Sequence, residues 1–251
     1  MRFFYKTENM YQTKNINLTP DFKMSDVILN NPYLLLLLEH FGIEVPLQGR
    51  ALSEVCKQNK VNIELFLTFA NLYNDVHYTP KTPLTINDTL SIIDYLKNSH
   101  KFYSEEIYPN ILSTIKQMAE VNDHKEMALV SKFFVDYFNE VREHLNYENT
   151  VVFPYILHLY KQIKDTSQTG EQTQYSVMEY KEHHNDIEEK LNDLKNLLIK
   201  YLPQKNDQTI RRKLLFLLSE LEYDLNIHSK IEDMILIPLV SEMESNLNNS
   251  K

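Results

Sequence analysis

The stretch His144-Leu-Asn-Tyr-Glu148-Asn-Thr-Val-Val-Phe153-Pro154 decides how this chain folds, because its pattern returns as His228-Ser-Lys-Ile-Glu232-Asp-Met-Ile-Leu-Ile237-Pro238. Both copies read His-x3-Glu-x4-apolar-Pro. With 9 His, 9 Pro, 35 Asp+Glu and 43% hydrophobic residues among 251, chance gives about 0.02 such matches in the whole chain, yet two occur. On a helix, residues i and i+4 stack on one face. Each copy therefore presents an imidazole and a carboxylate together, which is half of a metal site made twice.

Outward from these copies, apolar residues recur at steps of three and four from Thr89 onward. The first stripe runs Leu90, Ile93, Leu96, His100, Tyr103, Ile107, Ile111, and the second Met127, Val130, Phe134, Tyr137, Val141, His144, Glu148, Val152. After a polar loop the third runs Val177, Tyr180, His184, Ile187, Leu191, Leu194, Leu198. The fourth runs Leu214, Leu217, Leu221, Leu225, His228, Glu232, Ile235, Leu239. Four long amphipathic helices with short links predict an all-α, up-down-up-down four-helix bundle. Pro154 and Pro238 are expected to end or bend their helices just past the motif.

Every helix then carries a histidine on its inward face, and the second and fourth add a glutamate one turn later. His184 is preferred to His183 because it lies on the stripe, while His183 falls about 100° away. Burying four imidazoles and two carboxylates is costly without partners. Metal ions remove that cost by accepting the lone pairs and neutralising the charge. Two carboxylates able to bridge, with two histidines per ion, suit a pair of ions. Non-haem iron fits best, because structural zinc needs only four ligands and magnesium and calcium prefer oxygen. Manganese is compatible on ligand type. Glu140 and Asp224, each four residues before a motif histidine, are either ordinary acidic residues or carboxylates that take the imidazole's other N–H. His40, His77, His124 and His158 read as surface or structural residues.

Composition bounds the rest. Only 3 Gly argues for helices over strands. A net charge of −9 disfavours nucleic acid and anionic membranes as partners. One cysteine, Cys56, excludes an internal disulfide framework and fits a reducing compartment. The amino terminus lacks a signal-peptide pattern, and Leu34 to Leu38 is far shorter than the ~20 residues that span a bilayer. A soluble, cytoplasmic protein is expected.

The domain reading is an amino-terminal arm over 1–23, a small helical module over 24–76, a linker over 77–88, the bundle over 89–245 and a tail over 246–251. Ser25 or Asp26 is an N-cap candidate in the module, which shows helical pieces at Leu34 to His40, Leu52 to Gln58 and Ile63 to Tyr73, with a break at Gly42 and Pro46. A helix-turn-helix DNA reader would suit three short helices, but the acidity favours a docking or homodimerisation module.

The motif pair, with a lone histidine on each of the other two helices, resembles the haemerythrin-like di-iron domain. The similarity is greatest to the repair-of-iron-centres proteins, implicated in recovery of iron-sulfur clusters after nitric oxide or oxidative stress. Val177-Met178-Glu179 followed by His184-Asn-Asp-Ile-Glu is similar to that family's third-helix text, and Asp94, His100 and Glu105-Glu106-Ile107 to its first. The resemblance implies that His100, His144, His184 and His228 are terminal ligands of two iron ions, with Glu148 and Glu232 bridging. A ferritin-like site is disfavoured because its Glu-x-x-His spacing is absent at these positions. Phe41-Gly42-Ile43-Glu44-Val45-Pro46-Leu47-Gln48-Gly49-Arg50 resembles the small domain that precedes the bundle in that family, except that Pro46 and Leu47 stand where relatives carry a Cys-Cys pair. Cys56 is too far downstream to replace it, so thiol chemistry by that route is not available. Two functions follow. One is a stress-response protein that acts on nitric oxide, oxygen or damaged iron-sulfur centres, with iron-sulfur proteins as partners. The other binds or senses these diatomic gases without turnover. The residues do not decide whether the protein is an enzyme.

Overall fold

The computed structural model describes residues 16–75, 77–80, 84–122, 124–164, 175–183, 189–203 and 206–249. The chain divides into two compact units between Leu84 and Thr85. Among the described residues there is no strand, and no helix is long and apolar enough to cross a membrane.

The first unit holds α1 (Met24–Asn30), α2 (Leu34–His40), α3 (Leu52–Asn59) and α4 (Ile63–Asn74). The sequence reading finds the last three. α1 is an addition, and its N-cap is Lys23 rather than Ser25 or Asp26, which sit inside the first turn. α2 ends where Gly42 adopts φ +66°, and the Ile43 N–H bonds back to the Leu38 carbonyl at 2.8 Å. That left-handed turn suits a residue without a Cβ. α4 is capped by Asn62, whose Oδ1 accepts the Glu64 N–H at 3.0 Å. The core gathers Leu34, Leu37, Leu38, Leu52, Leu65 and Phe66, and Phe41 packs its ring against Phe66 and Phe69. Asn71 ties down the incoming chain, accepting the Leu18 N–H at 2.7 Å. At the positions where the resembled family has cysteines, Pro46 is exposed and Leu47 is buried.

The second unit is built from four rods. α5 (Thr89–Phe102) and α6 (Tyr108–Ala119) form the first, α7 (His124–Tyr147) and α8 (Phe153–Lys164) the second. α9 (Val177–His183) and α10 (Glu189–Asn196) belong to the third, and α11 (Gln208–Ile231) and α12 (Ile237–Asn249) form the fourth. Wider π turns at Tyr103–Ile107, Glu148–Val152 and Glu232–Leu236 join the halves of rods one, two and four, and a fourth at Leu197–Tyr201 closes the third rod.

Every one of these π turns ends two residues before a proline: Pro109, Pro154, Pro203 and Pro238. A proline inside an α-helix lacks the N–H for the carbonyl four residues back, and its ring collides with that carbonyl. A π turn moves the carbonyl aside. The residue before each proline instead donates to a carbonyl five residues back, Tyr108 to Tyr103, Phe153 to Glu148, Leu202 to Leu197 and Ile237 to Glu232. The helices therefore do not stop at Pro154 and Pro238; they widen and run on through α8 and α12. The x4-apolar-Pro tail of the motif is the sequence of a π turn.

At one end of the bundle α6 packs on α7, α7 on α10, α10 on α11 and α11 back on α6. At the other, α8 and α12 pack together, with α9 against α12. The described residues of the inward stripes are buried as the periodicity predicts, with three departures: Leu90 is exposed, and His144 and Leu217 are half-buried. Ile187 lies outside the described residues.

Cys56 is buried, and that burial pushes its thiol up to about 12. A thiol held protonated is a poor nucleophile. The folded protein should therefore resist a disulfide labelling reagent at pH 8 and react fully once guanidinium unfolds it. Rapid stoichiometric labelling of the folded chain would contradict this placement.

Candidate metal centre

The halves of three rods meet at the π turns, and the polar residues lie at the same level. His100 is near the end of α5, His144 near the end of α7 and His228 near the end of α11, while Glu148 and Glu232 each open a π turn. Both glutamates are wholly buried, His100 and His228 nearly so, and His144 is 14% exposed.

Glu148 occupies the centre. Its Oε2 lies 3.3 Å from His100 Nε2, and its Oε1 lies 3.3 Å from His144 Nε2. Glu232 Oε2 lies 3.5 Å from His228 Nε2. Two groups of ligand atoms result, each within 4.8 Å: His100, Glu148 and His228, and His144, Glu148 and Glu232. Five of the six residues expected from the sequence are thus brought together. The sixth, His184, lies outside the described residues, and the neighbouring His183 closes α9.

The outward nitrogens show what the inward ones are for. Ser99 Oγ is 2.7 Å from the Leu96 carbonyl, which can only accept, so the hydroxyl donates there. Its oxygen then accepts the His228 Nδ1–H at 2.9 Å. Asn149 Oδ1 likewise accepts the His100 Nδ1–H at 3.2 Å. With Nδ1 protonated on both rings, both Nε2 lone pairs face inward, and these two atoms are 3.4 Å apart. Two such lone pairs need a cation between them, a proton or a metal ion. Glu148 Oε2 is buried and accepts no hydrogen bond among the described residues, as a carboxylate oxygen reserved for a cation would be. The residues present therefore fit a bound metal.

Electrostatics points the same way. Burial pushes the His100 imidazole below its ordinary pKa, despite the opposing pull of Glu148. Burial also acts to lower His228, but the Glu232, Glu148 and Asp224 carboxylates outweigh it and hold His228 above its usual value. Packing fixes the rings as well. Phe153, the apolar residue of the first motif, stacks on His100 with centroids 5.5 Å apart. Tyr103 sets its ring edgewise to His228 at 5.8 Å.

Several participants are not read from the motif. Ser99 and Asn149 each adjoin an expected ligand in sequence but lie off the stripes. Tyr180 and Tyr103 are on the stripes and read as apolar filling. Yet Tyr180 donates to Glu232 Oε1 at 2.6 Å and reaches Glu148 Oε1 at 3.4 Å. Tyr103 donates to Asp224 Oδ2 at 2.8 Å. Burial, then the adjacent carboxylates, holds both phenols well above their ordinary pKa, so both remain donors. Asp224 is consequently buried, but it does not take the His228 N–H, which Ser99 accepts. Glu140 is the ordinary surface acid, 57% exposed and paired with Lys190. Of the other histidines, His40 is buried, His77 exposed, and His158 half-buried beside Gln162. The side chain of His124 lies outside the description.

A four-helix bundle whose rods converge buried His and Glu lone pairs on one interior point is a metal-binding bundle by construction. The family described as the Hemerythrin HHE cation binding domain matches residues 91–240, and the chain belongs to that family. No curated protein and no solved structure matches the chain.

The Ser99 contact makes a test of tautomer control. Ser99→Ala should weaken ferrous iron binding by about 10- to 100-fold, as loss of a ligand-orienting partner does, with the helical circular dichroism unchanged. Wild-type affinity in chelator competition would mean that Ser99 does not set the ring.

Proposed function

We propose that this chain carries a non-haem di-iron centre that handles nitric oxide or oxygen in the response to nitrosative or oxidative stress, including repair of damaged iron-sulfur centres. The observation that supports it best is the split of one buried carboxylate: the two oxygens of Glu148 serve two different histidine groups. A shared carboxylate suits two ions side by side, and manganese is the less suitable occupant. His100, His144, Glu148, His228 and Glu232 would hold the pair, together with His184 by resemblance to the repair-of-iron-centres proteins. A bound iron pair would supply redox chemistry and a place for a diatomic ligand. The chain's own residues orient the ligands: Ser99 and Asn149 fix two imidazoles, Phe153 walls one of them, and Tyr180 holds the carboxylates. The apolar stripes around them limit water near the centre.

A second reading is reversible gas binding or sensing, and the first unit favours it. Leu47 is buried where the resembled family offers a thiol, and Cys56 is buried too, so this module presents no reactive sulfur and is suited to docking an iron-sulfur protein or a second copy. The lone buried thiol agrees with a reducing, cytoplasmic setting.

Protein purified without oxygen should contain two irons per chain, and Glu148→Ala and Glu232→Ala should each lose metal. Full retention of two metals by both variants would sink the assignment. Exposure of the loaded protein to oxygen and to nitric oxide, followed optically, then separates the readings, since reversible spectra without consumption of gas belong to the sensor.

A further inference from the structure

Tyr180 treats the two halves of the centre differently. Its side chain is 2% exposed on α9, and its hydroxyl meets the carboxylates of both motif copies. In each case it touches Oε1. Glu148 Oε1 is the oxygen that faces His144, whereas Glu148 Oε2 faces His100. Glu232 Oε1 is likewise turned away from His228, which faces Oε2. The phenol therefore engages only the oxygens on the side of His144, Glu148 and Glu232.

The other group is held differently. His100 and His228 have Asn149 and Ser99 on their outward nitrogens, and Glu148 Oε2 accepts no hydrogen bond among the described residues. The two rings of that group are held by contacts other than Tyr180. The His144 group contains both glutamate carboxylates, which repel each other unless a donor or a cation lies between them. One phenol O–H, leaning to Glu232 at 2.6 Å and within 3.4 Å of Glu148, supplies that donor.

We infer that Tyr180 is a positioning residue that organises the carboxylates of the His144 half alone, so that the two metal positions differ in affinity and only one of them depends on this phenol. The inference rests on the di-iron reading above and adds an inequality between its two positions. It gives the chain one ion beside His100 and His228, and a second beside His144 whose retention depends on the Tyr180 hydroxyl.

The test is anaerobic titration of the full-length metal-free chain with ferrous iron, in competition with a chromogenic chelator. Wild-type protein should bind two equivalents in two resolved steps. Tyr180→Phe should weaken one step by about tenfold or more, in line with the loss of a partner to a ligating carboxylate, and leave the other within about twofold. Tyr137→Phe, which removes a buried phenol whose described partner is Tyr108 at 3.4 Å, should leave both steps unchanged. If Tyr180→Phe folds poorly, 3,5-difluorotyrosine at position 180 keeps the size and the donor and should retain both steps. Two wild-type steps in Tyr180→Phe, or equal weakening of both, would overturn the inference while leaving the di-iron reading intact. Wild-type protein that binds no iron at all would overturn the di-iron reading itself.

Discussion

The buried carboxylate of Glu148 between two imidazoles is the interaction on which the bundle depends. A carboxylate taken wholly out of water costs several kcal/mol unless its charge is matched and its lone pairs are used. Here the matching groups come from different rods: His100 from the first, His144 from its own, and Tyr180 from the third. The fourth rod adds Glu232, which shares the phenol, and His228, whose ring nitrogen approaches that of His100. The rods are thereby fixed in register at this level, because sliding any of them by a turn would separate a charge from its partner.

The π turns explain why the polar level lies in mid-rod rather than at a helix end. Each of the motif prolines would break an α-helix, and the chain accommodates it by widening one turn while the rod continues. Glu148 and Glu232 are the first residues of those wider turns, and their carbonyls accept the N–H of Phe153 and Ile237. The glutamate side chain and the special backbone are thus set by one short sequence. π turns recur at functional sites in helices for this reason: they alter the register of one face while the helix goes on. The hydrogen bonds of Tyr103 to Asp224 and of Ser99 to His228 then lock the first rod to the fourth on both sides of His100.

The small unit in front of the bundle is organised by ordinary apolar packing. Leu47 and Cys56 contribute to its buried interior, Asn71 holds the entering backbone, and Gly42 turns the chain after α2. Leu47, at a position where the resemblance implies a thiol, serves here as a packing residue.

Helix class, the four inward stripes and the histidine-glutamate pairs were legible in the residues, because a period of 3.6 writes burial directly into sequence. His100, His144, His228, Glu148 and Glu232 could be named in that way, since each occupies a stripe position where a polar side chain needs a reason. Asp224 was legible only as an acid near His228; which donor it serves depended on Tyr103 arriving from another rod. Tyr180 sat on its stripe as an apparent core aromatic, and only the crossing of three rods aimed its hydroxyl at two carboxylates. The prolines announced a break, but whether the backbone stops or widens depends on whether packing on both sides keeps the helix in place. Sequence by itself determined which face of each helix turns inward and which chemistry it carries. The tertiary structure decided which oxygen meets which nitrogen, because those distances are set by the packing of rods far apart in the chain.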